Sequence, residues 1–545
     1  MKTWTSWILV AVVSGLLLFT NLGGWGLWSP DEPRYAEVAR EMVLTGDYLV
    51  PHLNGRVYTR KPPLLFWLDA ISYKIFGVKE WAARLPVVLA GLSAVLATMY
   101  LGTRLFSPTV GLWGGLILVT TPWFTWEARR AKMDIPLTFL VLLAIIAFYL
   151  GNLADREEKK KKFIYYALGF SAVGIGALGK GPVAFSVPGL ALACYHIHTR
   201  DLHILKEKEF WLAFPLAFLF YFAWLVPACF KLGGKYALDQ IYYKTSALFL
   251  HTKVHRHGPL FYLYHLPLDA FPWVLFIPGA LIYGLRLPRE RRRPFLLLFW
   301  WFVANFVFFS IAKTKRSTYL LPLYPAMALM VALYLRETLR EADFLDLSSI
   351  TKGVKYPFYL ILFTLPLVAI GAPLAAYLKV RMLFAPLAAL GSVLLVFALL
   401  GLAVLKKKLL PLREYITVMM VITLLFSFLL VIPRADPCKS VKAVCRKAVE
   451  LSKRDKAPLM LFGITTPHAG EFNFYTGMAP LPVVRRGERN LQKVLETQDK
   501  VYLITKGRYF QRYCKKLELK PLAQQPCGHR FTLFSNKDFQ GGSQK

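Results

Sequence analysis

Charged residues are scarce in this sequence, and acidic residues are the scarcest. Asp, Glu, Lys and Arg make up 18% of the 545 residues, whereas hydrophobic residues make up 56% and aromatic residues 15%. A water-soluble fold could not cover so much apolar surface with so few charges, but a fold embedded in a bilayer need not do so. The composition therefore indicates an integral membrane protein.

The shortage of acidic residues leaves a strong basic excess. The chain has 67 Lys and Arg against 32 Asp and Glu, a formal net charge of +35. In a soluble protein this excess would suggest nucleic acid as a partner. Here the basic residues lie mainly in short loops between apolar runs, where positive charge orients membrane helices and contacts lipid headgroups. We expect membrane lipids as partners and no nucleic acid.

The sequence also lacks a CxxC pair, and its six cysteines have no spacing typical of a metal site. Four of them lie in the polar C-terminal part, where export would favour one or two disulfides. Their pairing is left open. They are Cys438, Cys445, Cys514 and Cys527.

No clear A-x-A cleavage motif follows the first apolar run, which is therefore predicted to be a retained anchor. Thirteen runs in the sequence are long enough to cross the roughly 30 Å hydrocarbon layer. They predict an α-helical polytopic membrane protein. The runs are 4–22, 82–106, 109–126, 135–153, 163–179, 182–198, 209–230, 265–286, 294–312, 318–336, 357–378, 382–405 and 413–432.

The basic loops predict the orientation of the chain. With a cytoplasmic N-terminus, the loops at 155–162, 286–293 and 406–413 lie on the cytoplasmic side, as the positive-inside rule requires. An odd number of spans then places 433–545 outside, after a transmembrane domain at 1–432. We expect a small α/β domain there. Its helix is predicted near 438–453 and its strands at 458–464, 500–505 and 530–535.

The loops on the outer side retain positive charge that topology does not require. Snorkelling explains any one of these residues, but it explains the whole set less readily. The set indicates an anionic partner on that side. Its members include Arg129, Arg130, Lys132, Lys180, Lys244, Lys253, Arg256, Lys313, Lys315 and Arg316.

The outer segment WSPDEPRYAEVAREMVLT, residues 28–45, carries the first candidate chemistry. Ser29 and Glu32 have the spacing of a capping box at the start of a helix. Asp31, Arg34 and Tyr35 then share one helical face, so a carboxylate, a guanidinium and a phenol lie together. The alternative that Asp31 only caps the helix stays open. The helix is too charged to span, so it is predicted to lie along the membrane surface, with an interfacial segment at about 30–76.

A hairpin and a second helix follow. Asn54-Gly55 between two extended runs predicts a tight turn, which would bring Tyr58 and Lys61 close together. Pro62-Pro63 then opens an aromatic-rich interfacial helix at about 64–76. Two surface helices joined by a hairpin would form a shelf for the phosphate and sugar of a lipid-linked substrate.

Two motifs suggest nucleotides but lack the necessary context. Gly174, Gly176 and Gly179 match a dinucleotide fingerprint, and the stretch up to Lys180 nearly matches a P-loop. Both motifs need a strand, a turn and a helix, whereas these glycines lie inside an apolar span. We expect no nucleotide site there and regard Lys180 as a cation at the outer end of a span.

Three histidines could suggest a metal. His251, His255 and His257 include a His-x-His pair, but no acidic residue lies beside them. Phosphate or interfacial contact is the favoured interpretation, and a divalent metal held by His255 and His257 stays open as the weaker one.

The sequence at 29–42 (SPDEPRYAEVAREM) and at 46–68 (GDYLVPHLNGRVYTRKPPLLFWL) resembles bacterial lipid A aminoarabinose transferases. That family is related to the polyprenyl- and dolichyl-phosphate-mannose protein mannosyltransferases of the GT-C class. Shorter similarities continue in order through the membrane part. They are ARLP at 83–86, RAKMD at 130–134, GKGP at 179–182, HGP at 257–259, FPW at 271–273 and KRSTYLLP at 315–322.

The resemblance implies a GT-C glycosyltransferase with thirteen spans, periplasmic interfacial helices and a soluble C-terminal domain in the bacterial inner membrane. It implies an inverting transfer from an undecaprenyl-phosphate sugar to lipid A. We expect the protein to be a monomer. Asp31 and Asp134 would be the catalytic carboxylates. Matching positions and the outer cations give a donor-phosphate set of Arg34, Lys61, Lys180, Arg256 and Lys315, and a sugar pocket of Tyr35, Tyr58 and Tyr319.

One departure from the family pattern argues against assigning the family's metal site to this chain. Arg60 stands where the family often has Glu, and that Glu can take part in a metal site, so no cofactor is carried over as certain. The acceptor also stays open among lipid A, a protein and another glycan. A lipid-linked sugar transporter is a different class, but the sequence shows no internal repeat typical of one. A structural scaffold would not explain the face that Asp31 shares with Arg34.

Overall fold

The computed structural model describes residues 3–155, 157–238, 256–339, 352–407, 412–478, 480–527 and 530–536. The described chain is mostly helical up to residue 454, and a mixed sheet follows near its end. The predicted fold class, a polytopic helical membrane protein with a small C-terminal α/β unit, is confirmed.

The helices follow one another with short connections. In the first half of the described chain they are α1 (Thr3–Phe19), α2 (Asp31–Thr45), α3 (Leu64–Phe76), α4 (Glu80–Leu105), α5 (Pro108–Thr120), α6 (Pro122–Glu127), α7 (Asp134–Leu153), α8 (Lys159–Lys180), α9 (Val183–Thr199), α10 (Lys208–Ala213), α11 (Leu216–Leu232) and α12 (Gly234–Leu238). In the second half they are α13 (Phe261–Asp269), α14 (Ile277–Leu285), α15 (Arg289–Ile311), α16 (Tyr324–Leu339), α17 (Lys352–Lys379), α18 (Phe384–Lys407), α19 (Leu412–Phe426), α20 (Ile432–Lys439), α21 (Lys442–Arg454), α22 (Thr466–Thr476) and α23 (Glu488–Thr497).

Nine helical segments of the described chain are long and apolar enough to cross a membrane. A tenth span results if α13 and the segment Trp273–Leu285, which meet at an angle of 116°, count as one. The three remaining predicted spans coincide with the shorter helices α1, α5 and α9. Each of the thirteen apolar runs therefore lies on a helix, and the chain is a multi-pass membrane protein.

The glycines of the nucleotide-like motifs serve helix packing. All three lie inside α8, with no strand and turn before them. A Cβ at Gly174 would lie 2.7 Å from the carbonyl oxygen of Leu216, and one at Gly179 would lie 2.2 Å from the Met133 side chain. These positions let neighbouring segments approach closely.

The outer segment after α1 forms the predicted helix, hairpin and helix. Strands β1 (His52–Leu53) and β2 (Arg56–Val57) pair antiparallel. Asn54 and Gly55 between them have φ of 57° and 68°, the left-handed values that a two-residue hairpin turn needs. Helix α3 begins and ends at the predicted residues.

The predicted capping box is wrong in its partners. The Ser29 hydroxyl donates to the Glu471 carboxylate, and the N-cap of α2 is Pro30, which offers no side-chain cap. The Glu32 carboxylate accepts a hydrogen bond from the backbone N–H of Trp28, at 3.0 Å. Tertiary contacts with the C-terminal part thus replace the local cap.

Helix α2 is also more enclosed than a helix lying on a membrane surface. Most of its side chains from Glu32 to Met42 are covered, because the helix packs against both α3 and α22. Ten of its fifteen residues are buried, and exposure is confined to its C-terminal end at Leu44 and Thr45.

The C-terminal sheet has five strands in the order β4-β3-β5-β7-β6. Strand β3 pairs parallel with β4 and β5, whereas β7 pairs antiparallel with β5 and β6. Apolar side chains from α21 and α22 cover one face, and those from α23 cover the other. The strands are β3 (Leu459–Phe462), β4 (Val483–Val484), β5 (Tyr502–Lys506), β6 (Pro521–Gln524) and β7 (Phe531–Ser535).

The C-terminal part contains an internal disulfide and contacts the outer segment. A disulfide joins Cys438 to Cys527, while Cys445 and Cys514 are buried and free. The Tyr475 hydroxyl accepts a hydrogen bond from the backbone N–H of Leu27, at 2.5 Å. The last apolar helical segment continues to residue 439, so a domain boundary at 432 stays a prediction.

Candidate functional site

A cavity of about 1120 Å³ opens where the outer segment meets the start of α7, the end of α8 and the turn Ser317–Leu323. Residues distant in the chain converge there because several helices end at the same level. Ten predicted site residues line it: Asp31, Arg34, Tyr35, Tyr58, Lys61, Asp134, Lys180, His257, Lys315 and Tyr319.

The two other predicted site residues are Arg256 and His255. Arg256 is exposed and is not among the lining residues, and its backbone pairs with Thr314 in an isolated bridge. His255 lies outside the described residues, as does His251. The expected role of Arg256 as a donor-phosphate ligand is therefore not supported by its position.

The first turn of α2 presents the face that its spacing predicted. The Arg34 guanidinium pairs with the Asp31 carboxylate and lies 5.2 Å from the centre of the Tyr35 ring. A second guanidinium, Arg316, lies 3.4 Å from the other Asp31 oxygen. The Asp31 carboxylate thus stays at the cavity between two cations. Burial raises the pKa of Tyr35 far above its ordinary value, so this phenol stays neutral.

A second carboxylate lies at the start of α7. Asp134 pairs with the ammonium group of Lys180, which in turn lies 5.0 Å above the Tyr319 ring. The pair links the first residue of one span to the last residue of the next. Lys180 is thereby a fixed cation at the cavity wall, as its position at the end of a span predicted.

Lys61 differs from the cavity cations Arg34, Lys132, Lys180 and Arg316, which pair with carboxylates. Within the described part of the chain no carboxylate forms an ion pair with it, although four charged side chains surround it. Burial and the charge of Lys180 lower its pKa to about 8, and Asp134 and Asp31 offset this only in part. No carboxylate of the described residues thus occupies its ammonium group, which can pair with an incoming anion.

Two further lysines have structural partners. Lys315 donates to the backbone carbonyls of Ala312 and His257, the latter at 3.2 Å, and so completes the end of α15. Lys132 lies 3.2 Å from the buried Glu127 carboxylate. Both line the cavity, but Lys315 directs its protons at the protein rather than at the open space.

A buried carboxylate, that of Glu32, connects the segments that carry the cavity residues. Glu32 is fully buried and accepts hydrogen bonds from Arg84 at 3.1 Å and from the backbone N–H of Ala131 at 3.1 Å. The Arg130 guanidinium lies 3.4 Å away. Burial alone would raise the pKa of Glu32, but the two arginines lower it to about 2. Glu32 therefore stays ionised.

The position of Glu32 gives it a structural role at the site. It is the neighbour of Asp31 in α2, and it binds the loop that leads directly into Asp134. One buried side chain thus fixes the relative position of the two cavity carboxylates. The sequence did not indicate this role, because the spacing of Glu32 also fits a helix cap.

The cavity carries a strong positive excess. Seven Lys and Arg side chains line it against two carboxylates. The cations are Arg34, Arg60, Lys61, Lys132, Lys180, Lys315 and Arg316, and the carboxylates are Asp31 and Asp134. Such a lining suits a phosphate-bearing ligand rather than a neutral one.

The described residues do not offer a metal site. Among them no group of three or more His, Cys, Asp or Glu side chains could hold a metal ion. The His257 ring packs on Phe261, with ring centres 4.4 Å apart. Arg60, at the position where a carboxylate would be expected, lines the cavity and adds positive charge.

Several lining residues were not singled out from the sequence. His265 and Trp123 carry no local motif, and only the fold brings them to the cavity. Arg316 was noted only as an outer cation, but it contacts Asp31. Its place beside Lys315 in the KRSTYLLP stretch was the signal that could have identified it.

The chain is similar to a known protein family and to several known proteins. A family model described as dolichyl-phosphate-mannose-protein mannosyltransferase matches residues 60–226. An uncharacterized protein of Aquifex aeolicus is 30% identical over 389 residues, which is 70% of this chain and 71% of that protein.

Other relatives have assigned activities. An undecaprenyl phosphate-alpha-4-amino-4-deoxy-L-arabinose arabinosyl transferase of Edwardsiella ictaluri is 31% identical, over 63% of this chain and 61% of its own length. A transferase of the same description from Sodalis glossinidius is 33% identical, over 60% of this chain and 58% of its own length. The alignments therefore span about three fifths of these relatives.

Solved structures show the same fold. The crystal structure of ArnT from Cupriavidus metallidurans bound to undecaprenyl phosphate matches with a TM-score of 0.81 and 20% identity, covering 100% of both chains. The oligosaccharyltransferase of Archaeoglobus fulgidus matches with a TM-score of 0.54 and 12% identity, over 93% of this chain and 69% of that one.

Proposed function

Because the chain belongs to the family of undecaprenyl-phosphate aminoarabinose transferases, relatives of the dolichyl-phosphate-mannose protein mannosyltransferases, we propose that it is a membrane glycosyltransferase. It transfers an aminoarabinose-like sugar from undecaprenyl phosphate to lipid A, with inversion, on the periplasmic face of the inner membrane. The observation that supports this most is a single cavity that gathers two carboxylates and an excess of cations.

The cations suit the leaving group. Polyprenyl phosphate departs as an anion, so positive charge must meet the charge that develops on it. Lys61 has no ion-pair partner in the described chain, whereas Lys180 and Arg34 already pair with carboxylates. We propose that Lys61 makes the first contact with the donor phosphate, and that Arg34 and Lys180 complete the site.

The carboxylates suit the acceptor and the sugar. Asp31 lies between Arg34 and Arg316, which hold its carboxylate in a fixed position. From there it can orient the acceptor or accept its proton. If the acceptor is a lipid phosphate that is already ionised, Asp31 mainly positions the sugar. Asp134 pairs with Lys180 in the same cavity, and Tyr35, Tyr58 and Tyr319 line the space for the sugar.

The proposal is tested by transfer of a radiolabelled sugar from undecaprenyl phosphate by the purified protein. We expect Asp31→Asn and Lys61→Ala to insert normally and to abolish transfer, since one removes the carboxylate and the other the free cation. Asp155→Asn and Lys79→Ala change exposed residues that do not line the cavity and serve as matched controls. Normal turnover in both cavity variants would refute the site.

The acceptor needs its own measurement. Mass spectrometry of lipid A from cells with and without the protein should show an increment matching a pentosamine. The match of residues 60–226 to a protein mannosyltransferase model keeps a protein acceptor as the second candidate. Label appearing in protein instead of lipid A would favour it. A transporter of the lipid-linked sugar would form no new glycosidic bond in either assay.

A further inference from the structure

The C-terminal sheet has a topological switch point outside the site described above. The chain runs from β3 to β4 through α22, and from β4 back across β3 to β5 through α23. The two helices cover opposite faces of the sheet. In open sheets with parallel strands, ligands bind at the carboxyl ends of the strands where the connections diverge in this way. Here that position lies between β3 and β5.

The loops at this position converge on one tyrosine. The carboxyl end of β5 leads into Arg508 and Tyr509, and that of β4 leads into Arg486. The Arg508 and Arg486 guanidinium carbons lie 4.8 and 5.8 Å from the centre of the Tyr509 ring. A Cβ at Gly463, directly after β3, would lie 3.1 Å from the same ring. Three strand ends therefore meet around Tyr509.

The guanidinium groups here lack acidic partners. Among the described residues no carboxylate forms an ion pair with Arg486 or Arg508, whereas Arg454 on the same sheet unit pairs with Asp455 at 2.9 Å. The stretch 506–516 contains five Lys and Arg residues and no Asp or Glu. Hydrogen bonding from Arg486, and then from Arg508, lowers the pKa of Tyr509. The crevice thus presents uncompensated positive charge.

We propose that this crevice, formed by Gly463, Arg486, Arg508 and Tyr509, binds a phosphate group. Two guanidinium forks can donate paired hydrogen bonds to phosphate oxygens, which a lysine cannot do with the same geometry. The arginines are exposed, so the phosphate arrives from outside, on an anionic lipid headgroup or on a free phosphate ester. This site is independent of the proposed transfer reaction.

The test uses the full-length protein in detergent with two probes. Glucosamine 1-phosphate titrations followed by 31P NMR report a free phosphate ester, and native mass spectrometry with phosphatidylglycerol reports a lipid headgroup. The double variant Arg486→Ala/Arg508→Ala should weaken at least one probe by about tenfold, the effect of losing charge-assisted hydrogen bonds. The double variant Arg446→Ala/Lys453→Ala removes the same charge from exposed positions on α21 and should bind as the unchanged protein does.

The outcomes separate the two sources of phosphate. Loss confined to phosphatidylglycerol identifies a lipid headgroup, loss confined to the sugar phosphate identifies a free ester, and competition between the probes identifies a shared site. The charge-preserving Arg486→Lys/Arg508→Lys variant should retain part of the binding. Equal binding by both alanine double variants, or no detectable binding of either probe by the unchanged protein, would overturn the proposal.

Discussion

At the residue scale, Lys61 is a cavity cation whose charged form burial disfavours. Its pKa of about 8 lies well below the ordinary value of 10.5, chiefly because of burial and then the charge of Lys180. A bound phosphate would favour the charged form, so donor binding above pH 8 would take up a proton. Only the resemblance and the hairpin suggested Lys61 from the sequence, since its free state depends on neighbours far away in the chain.

The titration of Lys61 predicts the alkaline limit of activity. Transfer should fall as the pH rises through about 8, because Lys61 then loses the charge that holds the donor phosphate. Lys61→Arg keeps its charge throughout, since the arginine pKa is above about 12, and should move the alkaline limb upward. Initial rates between about pH 6 and pH 10 measure this, with Lys79→Arg as the control. An unchanged limb in Lys61→Arg would contradict the assignment.

Glu32 predicts a different effect, on stability. Its pKa of about 2 is below the ordinary 4.5, so its ion pairs stabilise the fold above pH 4.5, and this contribution is lost as the pH falls through about 2. Glu32→Gln leaves Arg84 without its buried partner and Arg130 with Glu127 as its remaining carboxylate, which should cost about 3–5 kcal/mol. Thermal unfolding in detergent should show a clear fall in Tm. The exposed pair of Glu158 with Lys161 provides the control, because Glu158→Gln should change Tm very little.

At the element scale, the outer segment shows which features sequence patterns predict well. The Asn54-Gly55 turn and the bounds of α3 follow from local chemistry, since a turn needs left-handed residues and a helix begins after Pro63. The predicted cap of α2 was wrong because the Ser29 hydroxyl donates its hydrogen bond to Glu471, which lies 442 residues away in the chain. Local spacing cannot reveal such a competitor.

The hairpin predicts a second mutational effect. The Glu41 carboxylate accepts hydrogen bonds from the backbone N–H groups of Asn54 at 2.6 Å and Gly55 at 3.1 Å. Glu41→Ala removes the two hydrogen bonds that hold the hairpin turn to α2 and so loosens the strand that leads to Tyr58. We expect kcat to fall more than KM rises. Arg56→Ala on the same hairpin changes an exposed side chain and should leave both constants unchanged.

At the scale of the whole molecule, hydropathy predicted where the helices lie but not how they meet. Each apolar run became one helix or two consecutive helical segments, because the bilayer requires internally satisfied backbones. The convergence of Asp31, Asp134 and Lys180 on one cavity depends on the order in which spans pack, which the apolar pattern does not encode. The family resemblance supplied that information, whereas Arg256, taken from the outer cations, lies away from the cavity lining.

The disulfide allows the proposed orientation to be tested in the whole molecule. Cys438 and Cys527 are 89 residues apart, and a crosslink across a loop of that size stabilises by roughly 4–5 kcal/mol in the chain-entropy model. It persists only if the C-terminal part faces an oxidising compartment. Alkylation of denatured protein from acid-trapped cells should therefore label four of the six cysteines before reduction and all six after it. Cys438→Ser/Cys527→Ser should label four under both conditions and melt at a lower temperature, while Cys445→Ser/Cys514→Ser should retain the protected pair. Labelling of all six cysteines without reductant would place the sheet on the cytoplasmic side and contradict a periplasmic C-terminal domain.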